Sequence, residues 1–190
     1  MITALDNEKF RSKEEIYFSW WLDELIKEGV INSYKYEPHS FLLIEEHGYN
    51  WIDNTKKKPK EKSSTLLNSH SYTPDFLISW NGFHKKLMWD LYHPDMSLTT
   101  KINKGKIVSQ KNRSWIDVKG SYNKHGGDRI FPIHQKMMFE KKKLYINKIE
   151  PKKLFSRTFT PKKYIVTDGG GQLRKIDDWE PIPVKEFLTT

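Results

Sequence analysis

The fold of this 190-residue chain is decided by two stretches, residues 115–120 (WIDVKG) and residues 72–80 (YTPDFLISW). Both are short and rich in aromatic and β-branched residues, which predicts two strands of a buried sheet. In a strand, residues i and i+2 point to the same side, so Asp117 and Lys119 project together while Val118 faces the opposite side. The sequence therefore predicts a carboxylate beside an ammonium group on one face of a sheet.

One helix is predicted before these strands and another after them. The S-x-x-E capping box formed by Ser12 and Glu15 is followed by apolar residues at helical spacing, which predicts a helix over residues 13–28. Pro132 suits the first position of a helix and predicts a second one over residues 132–143. The order helix, strands, helix, strand indicates an α/β fold with a mixed central sheet flanked by helices.

Further strands are predicted from apolar runs on both sides of the two deciding stretches. These are one or two strands within residues 30–44 and further strands over residues 83–91, 144–149 and 163–167. Asn81-Gly82 is a strong hairpin-turn signal, so the strand over residues 83–91 is expected to pair with the strand that precedes the turn. Asp168-Gly169-Gly170-Gly171 is interpreted as another turn.

The domain layout is predicted from composition. Residues 1–150 are expected to form the core domain, with an inserted polar loop at residues 45–71, where the hydrophobic signal fades and a proline interrupts a lysine tract. A second insertion, an arm, is expected at residues 91–112. Residues 151–190 are expected to form a C-terminal appendage packed on the same domain.

The charge balance favours a polyanionic partner. The chain has 33 Lys+Arg against 24 Asp+Glu, which gives a net charge of +9 and a pI near 9.4. It has no cysteine, which excludes disulfides, thiolate zinc sites and cysteine nucleophiles. The start of the sequence has no apolar signal segment and no stretch is apolar for the length of a membrane span, so a soluble, cytoplasmic protein without a membrane partner is expected.

Acidic residues at three places are candidates for a metal-dependent hydrolytic site. Asp75 follows Pro74 at the start of a predicted strand, where it would bring a second carboxylate alongside Asp117. Two carboxylates and the backbone carbonyl of Val118 make an oxygen site suited to Mg²⁺, with Mn²⁺ as a substitute. Glu15, near the start of its helix, would bind the same ion or hold its waters.

Two further side chains are expected to support this chemistry. Phosphodiester hydrolysis needs a nucleophile made from water and stabilisation of the negative charge that develops on the phosphoryl oxygens. Lys119 is expected to orient the attacking water or to stabilise that charge. Gln135, on the second predicted helix, is expected to complete the polar shell.

At these positions the chain resembles the PD-(D/E)XK nuclease superfamily. The resemblance is carried by Pro74-Asp75, by Asp117-Val118-Lys119 and by the preceding helix that carries Glu15. More narrowly, residues 12–15, 29–31, 72–76 and 117–120 resemble small phage-encoded nucleases of that fold. Gln135 with Phe139 is similar to the Q-x-x-x-Y motif of the exonuclease branches, with Phe in place of Tyr. The acidic motifs are 117 − 75 = 42 residues apart, a longer spacing than usual, which the inserted arm accounts for.

The resemblance implies a restriction-endonuclease-like core, divalent-metal dependence and DNA as the substrate. We therefore expect a Mg²⁺-dependent endodeoxyribonuclease that acts in phage DNA recombination, repair or processing in the host cytoplasm. The expected catalytic residues are Glu15, Asp75, Asp117, Lys119 and Gln135, and the expected metal ligands are Asp75, Asp117, Glu15 and the Val118 carbonyl. Recombination or transposition proteins are candidate partners, and a homodimer would allow both strands to be cut.

Several alternatives stay open at this point. A non-catalytic DNA-binding or assembly protein would keep the same fold as a scaffold, and RNA is a second candidate substrate. Glu15 is explained equally well as a capping residue, with Glu14 as its competitor for the functional role. The lysine runs would neutralise phosphates or simply solvate the surface, and Trp89 is a candidate for stacking on unpaired bases.

Overall fold

A computed structural model of the chain describes residues 9–54, 58–91, 106–120, 127–166, 176 and 178–189. Two compact units are present: Met1–Pro38 joined with Pro74–Thr190, which we call the main unit, and His39–Thr73, which we call the small unit.

Short strands outnumber helices in the described part of the chain. In chain order the elements are α1 (Lys13–Lys27), β1 (Ile31–Tyr36), β2 (Phe41–Ile44), β3 (His47–Asn54), β4 (Pro59–Leu67), β5 (His70–Tyr72), β6 (Phe76–Trp80), β7 (Met88–Asp90), β8 (Ile107–Ser109), β9 (Arg113–Val118), α2 (Gly127–Lys142), β10 (Ile146–Ile149), α3 (Pro151–Phe155), α4 (Lys162–Ile165) and α5 (Val184–Thr189).

The centre of the main unit is a four-stranded sheet in the order β1-β6-β9-β10. The pairs β1–β6 and β6–β9 are antiparallel, and β10 lies parallel to β9, so the sheet is mixed. Helix α1 contacts β1 and β9, and α2, the connection between the two parallel strands, contacts β10. The protein therefore has the predicted α/β fold with a mixed central sheet.

Helix α1 forms where the capping box predicted it. The Ser12 hydroxyl oxygen accepts a hydrogen bond from the Glu15 backbone N–H at 3.2 Å, which satisfies one of the free donors of the first turn. At the other end, Gly29 adopts φ +69, a left-handed conformation that glycine adopts without strain. Between these ends the helix buries an apolar face that includes Phe18, Trp21 and Leu25.

The core of the main unit is aromatic. The ring of Phe76 on β6 lies 5.2 Å from that of Phe18 and 5.3 Å from that of Tyr36. The C-terminal residues extend this core, because Phe159 stacks on Trp21 with ring centroids 5.2 Å apart and both side chains are fully buried. The tail thus contributes side chains to the same core as the sheet.

The hairpin predicted at Asn81-Gly82 is wrong. Strand β6 does not pair with the strand that follows it, since β1 and β9 occupy both of its edges. The predicted strand over residues 83–91 is reduced to β7, which pairs in parallel with β8 in a separate two-stranded sheet. A turn signal alone says nothing about which edges of a strand are already paired.

The predicted arm is also corrected in part. Within residues 91–112, β8 is buried, and its Val108 exchanges hydrogen bonds with the Asn147 side chain at 2.7 and 2.9 Å. This end of the segment therefore belongs to the packed main unit, while residues 92–105 lie outside the described residues.

Two element predictions near the C-terminal half need correction. Helix α2 begins at Gly127 rather than at Pro132, so the proline lies inside the helix, where it cannot donate the backbone hydrogen bond of its turn. The strand predicted over residues 163–167 is the short helix α4, whose first turn is closed by a 2.9 Å bond from the Tyr164 N–H to the Pro161 carbonyl. The turn predicted at residues 168–171 lies outside the described residues.

The small unit contains regular structure where a polar loop was expected. Strands β3 and β4 form a long antiparallel hairpin, and β2 pairs with β5. Aromatic and β-branched residues such as Trp51 and Ile52 supply strand propensity within an otherwise polar sequence. An ion pair between Lys62 and Asp53 links the two hairpin strands. In the described part of the chain, no helix combines the length and apolar character needed to cross a membrane.

Replacing Phe159 by Ala tests the contribution of the tail to the core. We expect a loss of about 3 to 5 kcal/mol in the free energy of unfolding, because the change leaves a cavity against Trp21. Urea denaturation followed by fluorescence measures it. Phe139→Ala is the control, since that ring is 46% exposed, and it should change stability by about 1 kcal/mol or less. Equal effects of the two substitutions would contradict this role of the tail.

Candidate active site

The pairing of β6 with β9 brings two predicted acidic residues together. Phe76 is paired with Ile116 in antiparallel register, so Asp75, one residue before, and Asp117, one residue after, come to the same end of the strand pair. The Asp75 Oδ2 accepts a hydrogen bond from the Val118 N–H at 2.6 Å. The carboxyl group of one motif is thereby attached to the backbone of the other.

Lys119 is held beside Asp117. Its ammonium group forms an ion pair with the Asp117 Oδ1, as expected from their i, i+2 spacing in an extended segment. The Asp117 residue is 3% exposed, whereas about a quarter of the Lys119 side chain is exposed. The Lys119 N–H donates to the Ile149 carbonyl at 2.8 Å, so β10 holds the backbone that carries the ammonium group.

The Asp75 carboxyl has an altered acidity. Burial raises its pKa to about 7, and the negative charge of Asp117 acts in the same direction. The hydrogen bond from Val118 and the positive charge of Lys119 lower the pKa but do not offset burial. Near neutral pH, a small change in the surroundings of Asp75 is therefore enough to add or remove its proton.

Glu15 lies near this pair in the first turn of α1 and has its own set of partners. Its Oε1 accepts a 3.0 Å hydrogen bond from the Ser12 hydroxyl, and its Oε2 accepts from the Arg11 N–H at 3.0 Å and the Tyr36 hydroxyl at 2.7 Å. Its negative charge contributes to the raised pKa of Asp75. The capping role is thus observed, and it holds a buried carboxylate in one orientation.

Sequence reasoning missed the contribution of Tyr36. Burial, followed by the hydrogen bond to Glu15, raises the pKa of the Tyr36 hydroxyl, which therefore stays a proton donor to Glu15 across neutral pH. The alternation of Tyr34 and Tyr36 along β1 indicates a strand, but it does not show which hydroxyl contacts a carboxylate.

Glu14, the alternative to Glu15 for the functional role, lies against the backbone of Gly120. A Cβ added at Gly120 would lie 3.4 Å from the Glu14 Oε1.

Gln135 makes its hydrogen bonds to β10 and to the residue that precedes it. Its Nε2 donates to the Ile146 carbonyl at 2.6 Å, and its side chain also bonds to the Tyr145 hydroxyl. It lines a cavity of about 570 Å³ whose cationic lining residues are Lys106, Lys148, Lys153 and Arg157. Among the described residues that line this cavity, neither Asp75 nor Asp117 occurs.

The oxygen atoms at Asp75 and Asp117 fit the donor chemistry that Mg²⁺ prefers. Within the described ranges, no group of three or more His, Asp and Glu side chains is arranged to hold a metal ion. Mg²⁺ commonly binds only one or two protein carboxylates and keeps several waters, so two carboxylates are enough for a Mg²⁺ site. The Val118 N–H points to Asp75, and the carbonyl of a strand residue points to the same side as its N–H. Val118 can therefore present a third oxygen.

Comparisons with protein-family models, with curated proteins and with solved structures found no match to this chain. Its function is therefore inferred from the residues of the site.

Replacing Asp75 by Asn is expected to change how stability depends on pH. In the metal-free protein, Asp75 keeps its proton up to about pH 7, whereas the unfolded chain releases it near pH 3.8. Between these values the unfolded state binds fewer protons, so wild-type stability falls as the pH rises, by an amount on the order of 2 to 4 kcal/mol from this group.

Asn keeps an oxygen to accept the Val118 N–H and carries no charge. The variant should lack this fall and be more stable than wild type at pH 8 in EDTA. Urea unfolding at pH 4.5, 6 and 8 measures the difference. The same pH dependence in both proteins would contradict the raised pKa of Asp75.

Proposed function

We propose that this protein is a Mg²⁺-dependent endodeoxyribonuclease of the PD-(D/E)XK superfamily, with a restriction-endonuclease-like core. The observation that carries the proposal is the cluster of Asp75, Asp117 and Lys119 at one end of the β6–β9 pair. Two neighbouring carboxyl groups, one of them with a raised pKa, and an ammonium group beside them are typical of a site that handles a proton and a phosphate.

The topology supports the proposal. Helix α1, the antiparallel strands β1, β6 and β9, then α2 and the parallel strand β10 are compatible with the central sheet flanked by helices that the resemblance implies. The acidic residues and the lysine lie where the two central strands of this sheet end. The net charge of +9 supports a polyanionic substrate.

Each side chain of the cluster has a role in the proposed hydrolysis. Mg²⁺, when bound by Asp75, Asp117 and the Val118 carbonyl, would supply positive charge to the phosphoryl oxygens and acidify a water. Lys119, held by Asp117, orients the attacking water or donates to a phosphoryl oxygen. Glu15, oriented by hydrogen bonds from Ser12 and Tyr36, supports the waters around the site.

The proposed setting is phage DNA recombination, repair or processing in the host cytoplasm. DNA is the proposed partner, recombination or transposition proteins are further candidates, and a homodimer would supply one site for each strand. Gln135 stays a proposed supporting residue, with its contacts placing it on the β10 side of the main unit.

Metal binding can be tested apart from cleavage. Titration calorimetry with Mg²⁺ should detect binding to the wild type and none to Asp117→Asn, while the exposed Asp178→Asn serves as the matched control and should bind like wild type. Because Asp75 must lose its proton to bind, affinity should rise from pH 6 to pH 8. Binding that survives in Asp117→Asn would remove this residue as a ligand.

Cleavage tests the function itself. Supercoiled plasmid, linear duplex, single-stranded DNA and matched RNA are incubated with Mg²⁺, Mn²⁺ or EDTA. We expect metal-dependent cutting of DNA that Asp117→Asn and Lys119→Ala each reduce by at least about a hundredfold, because the first removes a metal ligand and the second removes the positive charge beside the reacting phosphate.

The control for this assay is Lys152→Ala, which removes an exposed lysine of α3 and should cut like wild type. Circular dichroism checks that each variant is folded. Full activity of Asp117→Asn would falsify the assignment. DNA binding without cutting under any condition would instead favour the non-catalytic scaffold, and preferential cutting of RNA would change the substrate class.

A further inference from the structure

The β3–β4 hairpin has two chemically different faces. Its register pairs Tyr49 with Ser64, Trp51 with Lys62 and Asp53 with Lys60, so these six residues share one face of the two-stranded sheet. The opposite face carries Asn50, Ile52, Asn54, Glu61, Ser63 and Thr65. Both aromatic rings and both lysines of these paired positions therefore lie on one side, which we call the Trp51 face.

The aromatic rings of the Trp51 face are accessible. Tyr49 is 49% exposed and Trp51 is 39% exposed, and their rings stack with centroids 5.3 Å apart and planes inclined by 28°. All seven tryptophans of the chain fall within the described residues, and Trp51 is the one of them that is exposed. Trp89, the tryptophan that the sequence suggested for stacking, is 4% exposed and thus unsuitable.

The two rings lie on a hairpin that has little other apolar surface to cover them. A two-stranded hairpin buries little apolar surface by itself and is marginally stable in water. Strand β4 is exposed along its whole length, and β3 is exposed except at the half-buried Asp53. Two large rings on such a hairpin gain stability when a flat partner covers them.

The charge on and next to the hairpin selects the kind of partner. Residues 56–62 contain five lysines and one glutamate, and the Trp51 face has Lys60 and Lys62, of which Lys62 is ion-paired with Asp53, so the face keeps a net positive charge. Lysines beside an exposed aromatic pair are the combination that binds single-stranded nucleic acid, in which cations contact phosphates and rings stack on unpaired bases. A paired duplex hides its bases from such rings.

We propose that the Trp51 face binds an unpaired stretch of a nucleic-acid strand, with bases stacked on Trp51 and Tyr49 and phosphates contacting Lys60 and Lys62. This deepens the proposed function, on which it rests, by naming DNA with single-stranded segments as the preferred substrate class. It assigns a binding role to the insertion that is separate from the acidic cluster.

The test measures binding in EDTA, where cleavage does not interfere. A fluorescein-labelled oligothymidylate of about 16 nucleotides is titrated with protein and followed by anisotropy, with a duplex of the same length in parallel. Wild type should bind the single strand more tightly than the duplex. Trp51→Ala should weaken single-strand binding roughly tenfold or more, and Trp51→Phe should restore most of the affinity because a ring is kept.

The matched control is Ile52→Ala on the opposite face of the same strand. Ile52 is 62% exposed, so its loss disturbs the hairpin to a similar degree while leaving the Trp51 face intact. Its affinity should equal that of wild type. Lys60→Ala should reduce the affinity and flatten its dependence on salt, whereas Lys152→Ala should change neither.

Three results would overturn the inference. These are absence of single-strand binding by wild type, equal losses in Trp51→Ala and Ile52→Ala, and wild-type binding by Trp51→Ala. If Trp51→Ala also loses a dimer in sedimentation, a second copy of the chain is the occupant of the face. The cleavage assay tests the nuclease proposal independently of this binding test. Cutting by wild type with unchanged binding in Trp51→Ala sinks only this inference, and weakened binding in that variant without any cutting sinks only the nuclease proposal.

Discussion

The antiparallel pairing of β6 with β9 is the constraint on which the candidate site depends. It sets Asp75 against Val118 and leaves Asp117 at the same strand end, although the two aspartates are far apart in sequence. A slip of one residue in this register would turn Asp117 to the other face of the sheet. The hydrogen bonds from the Trp80 indole to Ser114 and from Ser114 to Val108 link three strands and oppose such a slip.

The site is held together at a cost in stability. Burial and the nearby negative charges make ionisation of Asp75 unfavourable, and the neighbouring lysine offsets only part of this effect. The aromatic core under the sheet supplies the opposing contribution, because Phe76 follows Asp75 directly and is fully buried. At the start of β6, a carboxyl group that resists ionisation, Asp75, is therefore next to a ring that stabilises the fold, Phe76. Uncharged side chains at these positions would stabilise the fold more than these carboxyl groups do. Buried ionisable groups that cost stability are typical of functional sites.

Elements with strong local signals were predictable from the sequence. Helix α1 has both a capping box and an apolar stripe, and the period of two in β9 is enough to put Asp117 and Lys119 on one side. Their proximity to Asp75 depends on the pairing of β6 with β9, for which the sequence carries no local signal. The partners of Glu15 were only half predictable, since Ser12 is local whereas Tyr36 comes from a different strand.

The errors have a common physical cause, which is that local patterns do not reveal which surfaces tertiary contacts cover. Asn81-Gly82 is a good turn, yet β1 and β9 already pair with both edges of β6. Trp89 and Trp51 both lie in strands, but β7 is packed in the main unit while β3 belongs to an exposed hairpin. The polarity of residues 45–71 predicts an inserted loop, although a polar sequence with alternating aromatic residues can pair with itself and leave its rings partly exposed. The stacked pair of Tyr49 and Trp51 contributes to the hairpin itself, while the exposed part of each ring stays open to solvent, a surface that local sequence patterns do not reveal.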